Sequence, residues 1–304
     1  MTGRGGNGRS GPNGNEGDVR LRGPLLLLAA LGIFAVLDAN SKVLSGGYHV
    51  SQVLAFRYAV LLLLLTLVAA LRSGAVGTLR TRRPGAQLLR AAFMVGSGGG
   101  FFMSLRHLPL AEGYLVYFTA PFMLLALFRV LLKEPVPASA WGWCGVGFMG
   151  VLLALWPGLS AGGAWVAYGW GLVGSFCHAM VLVMNRSLRD EPGMARLILW
   201  SAAPALPLLL PWTWFEWATP PLGDALALAA NGVLAGAATI ALAAAFRHAS
   251  APRLAPLEFS ALVFAVIADV TVWGVWPSAW VWAGAAVVSF AGIMAQRVPQ
   301  RGAV

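Results

Sequence analysis

Long apolar runs, interrupted by short clusters of Pro, Gly and charged residues, make up most of the chain. A helix that crosses a bilayer needs roughly 20 consecutive apolar residues, and most of these runs reach that length. Backbone groups in lipid must find hydrogen-bond partners within the segment, so we expect the runs to be helices. The pattern predicts ten spans: residues 24–44, 50–71, 84–105, 110–132, 138–156, 164–184, 194–213, 222–246, 253–274 and 278–296.

The composition agrees with this pattern. Of the 304 residues, 59% are hydrophobic and 11% are charged, whereas a soluble domain carries about 25% charged residues. The chain therefore lacks the charge to cover a water-facing surface, and the predicted class is an all-α polytopic membrane protein. Cys144 and Cys177 lie inside apolar runs and are interpreted as small packing residues.

The distribution of positive charge predicts the orientation. Cytoplasmic loops carry an excess of Lys and Arg. When the N-terminus is placed in the cytoplasm, all 21 Lys and Arg residues except Lys42, Arg57 and Arg106 fall on the inner side. This asymmetry favours ten transmembrane helices with both termini cytoplasmic. The expected location is the bacterial inner membrane. It also accounts for the net charge of +10 without a nucleic-acid partner.

The first segment, residues 1–22, is rich in Gly, Asn and Arg and is predicted to be a disordered cytoplasmic tail. A basic segment before an apolar run can mimic a signal peptide. Here no convincing small-residue cleavage site follows and the run is long enough to span, so we expect an uncleaved first helix. Residues 298–304 form a short C-terminal tail.

A weak internal repeat divides the spans into two groups of five. A shift of 141 residues aligns Arg106-His107 with Arg247-His248. The same shift aligns Phe118 with Phe259, Ala120 with Ala261, Ala138 with Ala279, and Trp141 with Trp282. Asn40 and Asn185 match at an offset of 145 residues. Because five is odd, the second group must cross the membrane in the opposite direction, as in transporters whose binding site lies between inverted repeats. The predicted repeats are residues 23–157 and 158–297.

Three stretches carry a resemblance to a known family. They are "NSKVLSGGYHVSQVLAFRY", "LRHLPLAEGYLVYFTAPFMLLALFRVLLKEPVPASAWGWCGVGFMGVLLAL" and its second copy "APLEFSALVFAVIADVTVWGVWPSAWVWAGAAVVSFAGIMA". The chain resembles the drug/metabolite transporter superfamily, in its ten-helix EamA-type branch. Val275 stands where the first copy has the acidic Glu134, which is a departure from the family pattern.

The resemblance implies a bundle of ten helices around one central cavity. Helices one, three, four, six, eight and nine would line that cavity, and helices five and ten would lie at the periphery, sometimes in a dimer. It also implies transport of small organic solutes, including amino acids, other metabolites and drugs, usually outward.

Charged residues in and beside the first two spans are the first site candidates. Asp38 lies in the first span, Lys42 follows one turn later on the same face, and Arg57 lies near the outer end of the second span. Their spacing allows an ion pair near the outer mouth. Two interpretations stay open: a structural salt bridge between the two helices, or a gate that also binds a solute carboxylate.

The ninth span contributes two carboxylates. Glu258 and Asp269 are eleven residues apart, close to three helical turns, so they share a helix face. They could relay a proton or bind an amine, and the alternative is pairing with Arg or backbone groups. Pro256 precedes Glu258 and is expected to loosen the helix beside a cavity.

Small residues interrupt the third and fourth spans. The stretch "GSGGGFF" over residues 96–102 permits close helix approach or local unwinding. No Lys-Ser/Thr follows it, so it is not a phosphate-binding loop. Pro121 interrupts the fourth span. The candidates for structural or gating roles are therefore Lys42, Gly98, Gly99, Gly100, Pro121 and Pro256.

Rings complete the candidate site. Most Trp residues lie near predicted helix ends, as interfacial anchors do, which leaves Trp170 and Trp200 for a solute cage. For each ring, core packing or a structural hydrogen bond is the alternative. No Cys/His cluster has metal-ligand spacing, so no cofactor is expected. The ring candidates for solute binding are Phe101, Tyr114, Tyr117, Trp170 and His178.

These features predict a secondary transporter that moves a small organic solute by alternating access. Its expected partners are the solute and the lipid bilayer, with protons as a candidate coupling ion, and it is expected to be a monomer or a homodimer. One alternative is a membrane enzyme of lipid-linked substrates that uses Arg106, His107 and Glu112, although its loops are too short for such a site. A channel is the other alternative.

Overall fold

A computed structural model describes residues 15–71, 79–133, 138–160, 164–188, 190–191, 193–248, 254 and 257–296. Every regular element among these residues is a helix, which confirms the all-α class. The helices are α1 (Asn15–Leu44), α2 (Val50–Leu71), α3 (Pro84–Leu105), α4 (Leu110–Tyr117), α5 (Ala120–Leu131), α6 (Ala138–Ser160), α7 (Trp165–Ser187), α8 (Met194–Phe215), α9 (Leu222–His248), α10 (Ser260–Trp273) and α11 (Ala279–Gln296).

Seven segments in the described part of the chain are long and apolar enough to cross a membrane, by length and composition. They are Leu21–Leu44, Val50–Leu71, Pro84–Leu105, Leu110–Leu131, Trp165–Ser187, Ala195–Phe215 and Leu222–Ala245. Three shorter apolar helices are Trp141–Pro157, Ser260–Trp273 and Ala279–Met294. The chain is therefore a multi-pass membrane protein, while the count of ten spans and the cytoplasmic termini stay predictions.

The first helix is longer than its sequence predicts. It begins at Asn15, so the end of the predicted disordered tail is helical. Pro24 lies within it and does not end it. Residues 1–14 and the predicted tail at 298–304 lie outside the described residues.

The predicted interruption of the fourth span is observed. Helix α4 ends at Tyr117 and α5 begins at Ala120, immediately before Pro121. Proline lacks a backbone N–H and clashes with the carbonyl four residues earlier, so the helix cannot run through it unbroken. At the break, the Val116 carbonyl accepts hydrogen bonds from the Thr119 N–H at 3.0 Å and from the Thr119 hydroxyl at 2.7 Å.

The ninth span shows a similar interruption at Phe259, just before α10, and Pro256 lies outside the described residues. Phe118 and Phe259, which the repeat makes equivalent, contact each other with ring centroids 5.7 Å apart. Two equivalent side chains that meet in this way lie where an axis relating the two halves would pass.

The helix packing agrees with the symmetry that the repeat predicts. The most extensive helix pairs are α1 with α9, α6 with α11, and α3 with α7. In the predicted repeat, α1 (first span) is equivalent to α7 (sixth span), and α3 (third span) is equivalent to α9 (eighth span). The α1–α9 pair therefore corresponds to the α3–α7 pair. The pair α2–α9 corresponds in the same way to α8–α3. This pattern is what an inverted repeat requires, and the repeat itself remains a prediction that the packing supports.

Each of the two corresponding helix pairs contains a hydrogen bond to an asparagine side chain. The Asn40 amide on α1 donates to the Asn231 side chain on α9 at 2.8 Å. On the other pair, Arg90 of α3 donates to the Asn185 side chain of α7 at 3.3 Å. Arg90 and Asn231 are themselves 141 residues apart, so the two bonds join equivalent positions.

Glycine allows α3 and α7 to approach at backbone distance. A Cβ atom on Gly100 would lie 2.6 Å from the Gly174 nitrogen and 2.7 Å from the Trp170 carbonyl oxygen. Helix α3 runs unbroken through this stretch, so Gly100 serves close packing and the predicted local unwinding is not observed. The neighbouring Gly98 faces Leu54, and Gly99 faces open space.

Candidate functional site

A cluster of rings occupies the region where α3, α4 and α7 meet. We call Phe101, Tyr114, Tyr117, Phe118 and His178 the aromatic cluster. Phe101 is its centre, with ring centroids 5.7 Å from Tyr114 and 4.9 Å from Tyr117. The Tyr117 ring lies 5.1 Å from that of His178, and Tyr114 packs edge-on against Phe118. Offset and edge-on arrangements like these are the favoured ones for aromatic rings.

Each tyrosine of α4 has a polar partner on a neighbouring helix. The Tyr114 hydroxyl donates to the Asp38 carboxylate of α1 at 2.6 Å. The Tyr117 hydroxyl and the Ser97 hydroxyl of α3 are 2.7 Å apart. Asp38 is buried. A buried carboxylate costs free energy unless it is paired. Asp38 is therefore a candidate for a functional role beside the aromatic cluster.

Arg57 on α2 supplies the opposite charge. Its guanidinium lies close enough to interact electrostatically with Asp38, Tyr58 and Tyr117. The buried Nε has no hydrogen-bond partner within the described part of the chain. Within the described residues, Arg57 and Asp38 do not form an ion pair with each other. An unsatisfied buried donor costs about 1–3 kcal/mol. The Arg57 Nε–H is therefore a donor that a bound acceptor group would stabilise.

A second polar group ties three helices at the predicted outer end of the bundle. We call Lys42, Asp269 and the backbone of residues 108–111 the Lys42 cluster. The buried Asp269 carboxylate accepts hydrogen bonds from the N–H groups of Leu110 at 2.8 Å and Ala111 at 2.7 Å. Anionic groups are stabilised at helix N-termini, because the first N–H groups lack helical partners. Asp269 of α10 therefore caps α4.

Lys42 completes this cluster from α1. Its ammonium donates to the Leu108 carbonyl at 2.8 Å and lies 3.8 Å from the Asp269 carboxylate. It also lies 4.5 Å from the centroid of the Trp273 ring, within the range of a cation–π interaction. Lys42 thus binds α10 and the α3–α4 corner, and the ion pair predicted locally among Lys42, Asp38 and Arg57 is not formed.

A third group ties three helices at the opposite end of α3. We call Gln87, Arg90, Asn185 and Ser201 the Arg90 cluster. The buried Arg90 guanidinium donates to Gln87 at 3.0 Å and to Ser201 at 3.0 Å, besides its bond to Asn185. A fourth bond, at 3.0 Å, goes to the Leu197 carbonyl. Because these acceptors are neutral side chains and a carbonyl, the site keeps a full positive charge that is held by hydrogen bonds alone.

Loop contacts reinforce the same end. The Thr81 hydroxyl donates to the Glu191 carboxylate, and the Arg82 N–H donates to it at 2.7 Å. The hydrogen bond from Thr81 is the largest cause that holds the pKa of Glu191 below its ordinary value. These bonds join the segment before α3 to the turn between α7 and α8.

The structure brings together most of the predicted site residues. Asp38, Arg57 and the rings of Phe101, Tyr114, Tyr117 and His178 converge. Trp170 is 40% exposed and makes no ring contact with the aromatic cluster. Glu258 is exposed while Asp269, on the same helical face by spacing, is buried in a different cluster. Asp269 follows the alternative of pairing with backbone groups.

Two polar residues of this arrangement escaped sequence reasoning. The charge distribution counts Arg90 with the inner positive residues, although it lies six residues inside the predicted third span with a polar Gln87 one turn before it. That combination was the available signal for a buried guanidinium. Ser97 lies within the glycine-rich stretch, and no sequence signal distinguishes it from a packing residue.

In the described residues, a group of rings with Asp38 and Arg57 beside it lies between the Lys42 cluster and the Arg90 cluster. The EamA-like transporter family matches residues 165–295. A pseudopaline exporter, CntI, of Pseudomonas aeruginosa (strain UCBPP-PA14) is 25% identical over 250 residues, which cover 81% of this chain and 86% of that protein.

An S-adenosylmethionine uptake transporter of Rickettsia prowazekii (strain Madrid E) is 24% identical over 258 residues, covering 84% of this chain and 86% of that protein. A solved crystal structure has a TM-score of 0.66 at 18% identity and covers 91% of this chain and 98% of that one. At that identity, the likeness shows the fold alone.

The class is therefore a multi-pass membrane transporter of small solutes rather than an enzyme. Within that class, residues 165–295 carry an EamA-like transporter domain, and the transporter relatives match most of the length of the chain.

Proposed function

We propose that this protein is a secondary active transporter that moves a small organic solute by alternating access and binds it at the aromatic cluster. The observation that carries the proposal is the composition of that site. The rings come from α3, α4 and α7, whereas the charges of Asp38 and Arg57 come from α1 and α2. A solute held between two groups of helices is sensitive to their relative movement, which is the basis of alternating access.

The polar clusters at the two ends support this mechanism. The Lys42 cluster ties α1, α10 and the α3–α4 corner, and the Arg90 cluster ties α3, α7 and α8 almost a full helix length away. Opening one end while the other stays closed exposes the site to one side at a time. Hydrogen-bonded clusters suit this role because each has two discrete states, made or broken.

Direction, location and coupling are further parts of the proposal. Relatives are named both as an exporter and as an uptake transporter, and we propose export across the bacterial inner membrane with both termini cytoplasmic. Proton coupling through Glu258 or Asp269 is tested by transport against an imposed pH gradient in proteoliposomes. An unchanged gradient dependence in both Glu258→Gln and Asp269→Asn would remove those two carboxylates from the coupling mechanism.

The function itself is tested by a counterflow screen. Purified full-length protein is reconstituted into liposomes that are loaded with one unlabelled solute at a time from a panel of amino acids, other metabolites and cationic drugs. A carrier gives saturable uptake of the labelled solute that an internal load stimulates. A channel gives flux that the internal load does not stimulate, and that result would replace the proposal.

A further inference from the structure

Three arginines precede α3 at the end of the bundle that the charge distribution predicts to be cytoplasmic. We propose that this segment is a binding surface for an anionic phospholipid, whose headgroup is bound by Arg80, Arg82 and Arg83. We call residues 79–83 the pre-α3 segment. The proposal goes beyond the transport function, because it names a lipid partner and does not involve the aromatic cluster.

Hydrogen bonds to α7 and α8 hold both ends of the pre-α3 segment. The Trp200 indole of α8 donates to the Leu79 carbonyl at 3.0 Å. The Arg83 guanidinium donates to the carbonyl of Ser187, the last residue of α7, at 3.2 Å. The segment is therefore attached to the second half of the bundle at its first and last residues.

Glu191 holds the middle of the pre-α3 segment. Its carboxylate accepts hydrogen bonds from the Thr81 hydroxyl and from the Arg82 N–H. Glu191 itself is buried, so it supports the segment from below and leaves the outer surface to the arginines. Because the backbone is already ordered, a ligand that binds these arginines loses less conformational entropy.

The arginines of this segment are exposed and have donors to spare. Arg80, Arg82 and Arg83 are all exposed. The side chains of Arg80 and Arg82 form no hydrogen bond or ion pair with the described residues. Asp190 is exposed in the turn beside them, and the three arginines outnumber this carboxylate. Guanidinium groups bind phosphate oxygens through paired donors, so a phosphate group suits this surface.

The first turns of α3 add an apolar part to the surface. Leu88 and Leu89 are 50% and 52% exposed. They lie four and five residues after Pro84, about 6–8 Å further along the helix. Arginines at the end of a membrane-spanning helix, followed by exposed leucines one turn further in, match a charged headgroup followed by acyl chains. This combination favours a phospholipid over a free phosphate ion, which would use the arginines alone.

The test measures lipid binding to the full-length protein in detergent by native mass spectrometry. The probes are dioleoylphosphatidylglycerol, which is anionic, and dioleoylphosphatidylcholine, which has the same chains and a phosphate but no net charge. The wild type is expected to bind phosphatidylglycerol at least about tenfold more tightly, because each arginine near an anionic headgroup contributes about fivefold in affinity. An equimolar amount of inorganic phosphate is expected to leave this lipid bound.

Two sets of variants assign the binding to the pre-α3 segment. Arg80→Gln combined with Arg82→Gln is expected to weaken phosphatidylglycerol binding about 10- to 30-fold and to leave phosphatidylcholine binding unchanged. The matched control is Arg129→Gln, because Arg129 is an exposed arginine in the last turn of α5. This control should keep the preference for phosphatidylglycerol.

Glu191→Gln distinguishes an ordered site from a loose group of charges. The substitution removes a negative charge beside the arginines, and it also weakens the hydrogen bonds to Thr81 and Arg82. An ordered site is expected to bind phosphatidylglycerol several-fold more weakly in this variant. A loose group of charges would bind it as tightly as before or more tightly, and that result would overturn the proposal.

The wild-type comparison stands even if a variant fails to fold. Equal binding of the two lipids by the wild type would overturn the inference. An equal loss of affinity in Arg129→Gln would show a general attraction to positive charge in place of a site before α3. Displacement of the lipid by equimolar inorganic phosphate would show a free-anion site, and either of these results would also contradict the proposal.

Discussion

At the residue scale, the charged side chains in the helix bundle differ in how completely their hydrogen bonds are satisfied. Asp269 finds two backbone N–H groups and Lys42, while Arg90 finds four neutral acceptors. Asp38 has a neutral hydroxyl, and Arg57 has an unsatisfied Nε. The two satisfied groups lie at the ends of the bundle and the two poorly satisfied ones lie beside the rings. We propose that structural and binding roles divide in the same way.

The capping role of Asp269 is testable by Asp269→Asn. The amide keeps the shape of the side chain but loses the negative charge and one of its two acceptor atoms. We expect the free energy of unfolding in detergent to fall by about 1–3 kcal/mol, as for the loss of a buried charge-assisted hydrogen bond. The control is Glu258→Gln, because the Glu258 carboxylate is exposed and lies just before α10. This substitution should change the free energy of unfolding little. Equal effects of the two substitutions would contradict the capping role.

Local spacing in the sequence is enough to predict Asp38, Arg57 and the ring residues as site candidates, because intramembrane charges and rings near glycines are few. It is not enough to predict the partner of Lys42. That partner, Asp269, lies more than 200 residues away on α10, and only the tertiary packing of α1 against α10 brings the two together. Local spacing is likewise not enough to predict the acceptors of Arg90, because they lie on α7 and α8.

At the element scale, the contact between α3 and α7 depends on glycine at two facing positions. The span boundaries and the break before Pro121 follow from apolar run length and proline chemistry, so the sequence predicts them well. The depth to which one helix packs into another depends on which glycine faces a neighbour. Of Gly98, Gly99 and Gly100, only Gly100 lies against backbone atoms of α7, and the sequence makes the three look alike.

This difference predicts the result of a matched pair of substitutions. In Gly100→Ala the new methyl group would lie 2.6 Å from a backbone nitrogen that cannot move away alone. We expect a loss of about 1–3 kcal/mol in unfolding free energy, typical of overpacking. Gly99→Ala has no atom within 4 Å and should be neutral or stabilising, because alanine favours the helix. Thermal unfolding of both variants in detergent distinguishes the two, and similar losses would contradict the close approach.

The loop contact at the Arg90 end predicts an acid-sensitive contribution to stability. The pKa of Glu191 is lower in the folded protein than in the unfolded chain, chiefly because of the Thr81 hydroxyl. Its contribution is therefore complete above the unfolded pKa and is lost as the pH falls through the lower folded pKa, over the acidic range between these two values. Melting temperatures across this range should fall less steeply for Glu191→Gln than for the wild type. If the melting temperatures of the two proteins fell equally steeply with pH, the Glu191 contact would not contribute to the pH dependence of stability.

At the scale of the whole molecule, matching helix pairs and matching side-chain hydrogen bonds agree with the predicted relation between the two halves. The α1–α9 and α3–α7 pairs, with Asn40–Asn231 and Asn185–Arg90, occupy equivalent places. The sequence repeat is weak and stays a prediction, and the observed helix pairs are compatible with it. The two bonds differ in charge, since arginine replaces one asparagine, so the two ends of the bundle are not energetically equal. A transporter whose ends open alternately needs such a difference to prefer one resting state.

The central claim, that the aromatic cluster with Asp38 is the site of an exchanged solute, is tested most directly by counterflow in proteoliposomes with Asp38→Asn, Tyr117→Leu and the exposed control Glu216→Gln. The wild type and the control should show saturable uptake of the labelled solute that an internal load stimulates, and both site variants should lose at least about tenfold in initial rate, as expected when a charge-assisted contact or a stacking ring is removed. Unchanged, load-stimulated exchange in both site variants would place the solute elsewhere in the protein and contradict the account.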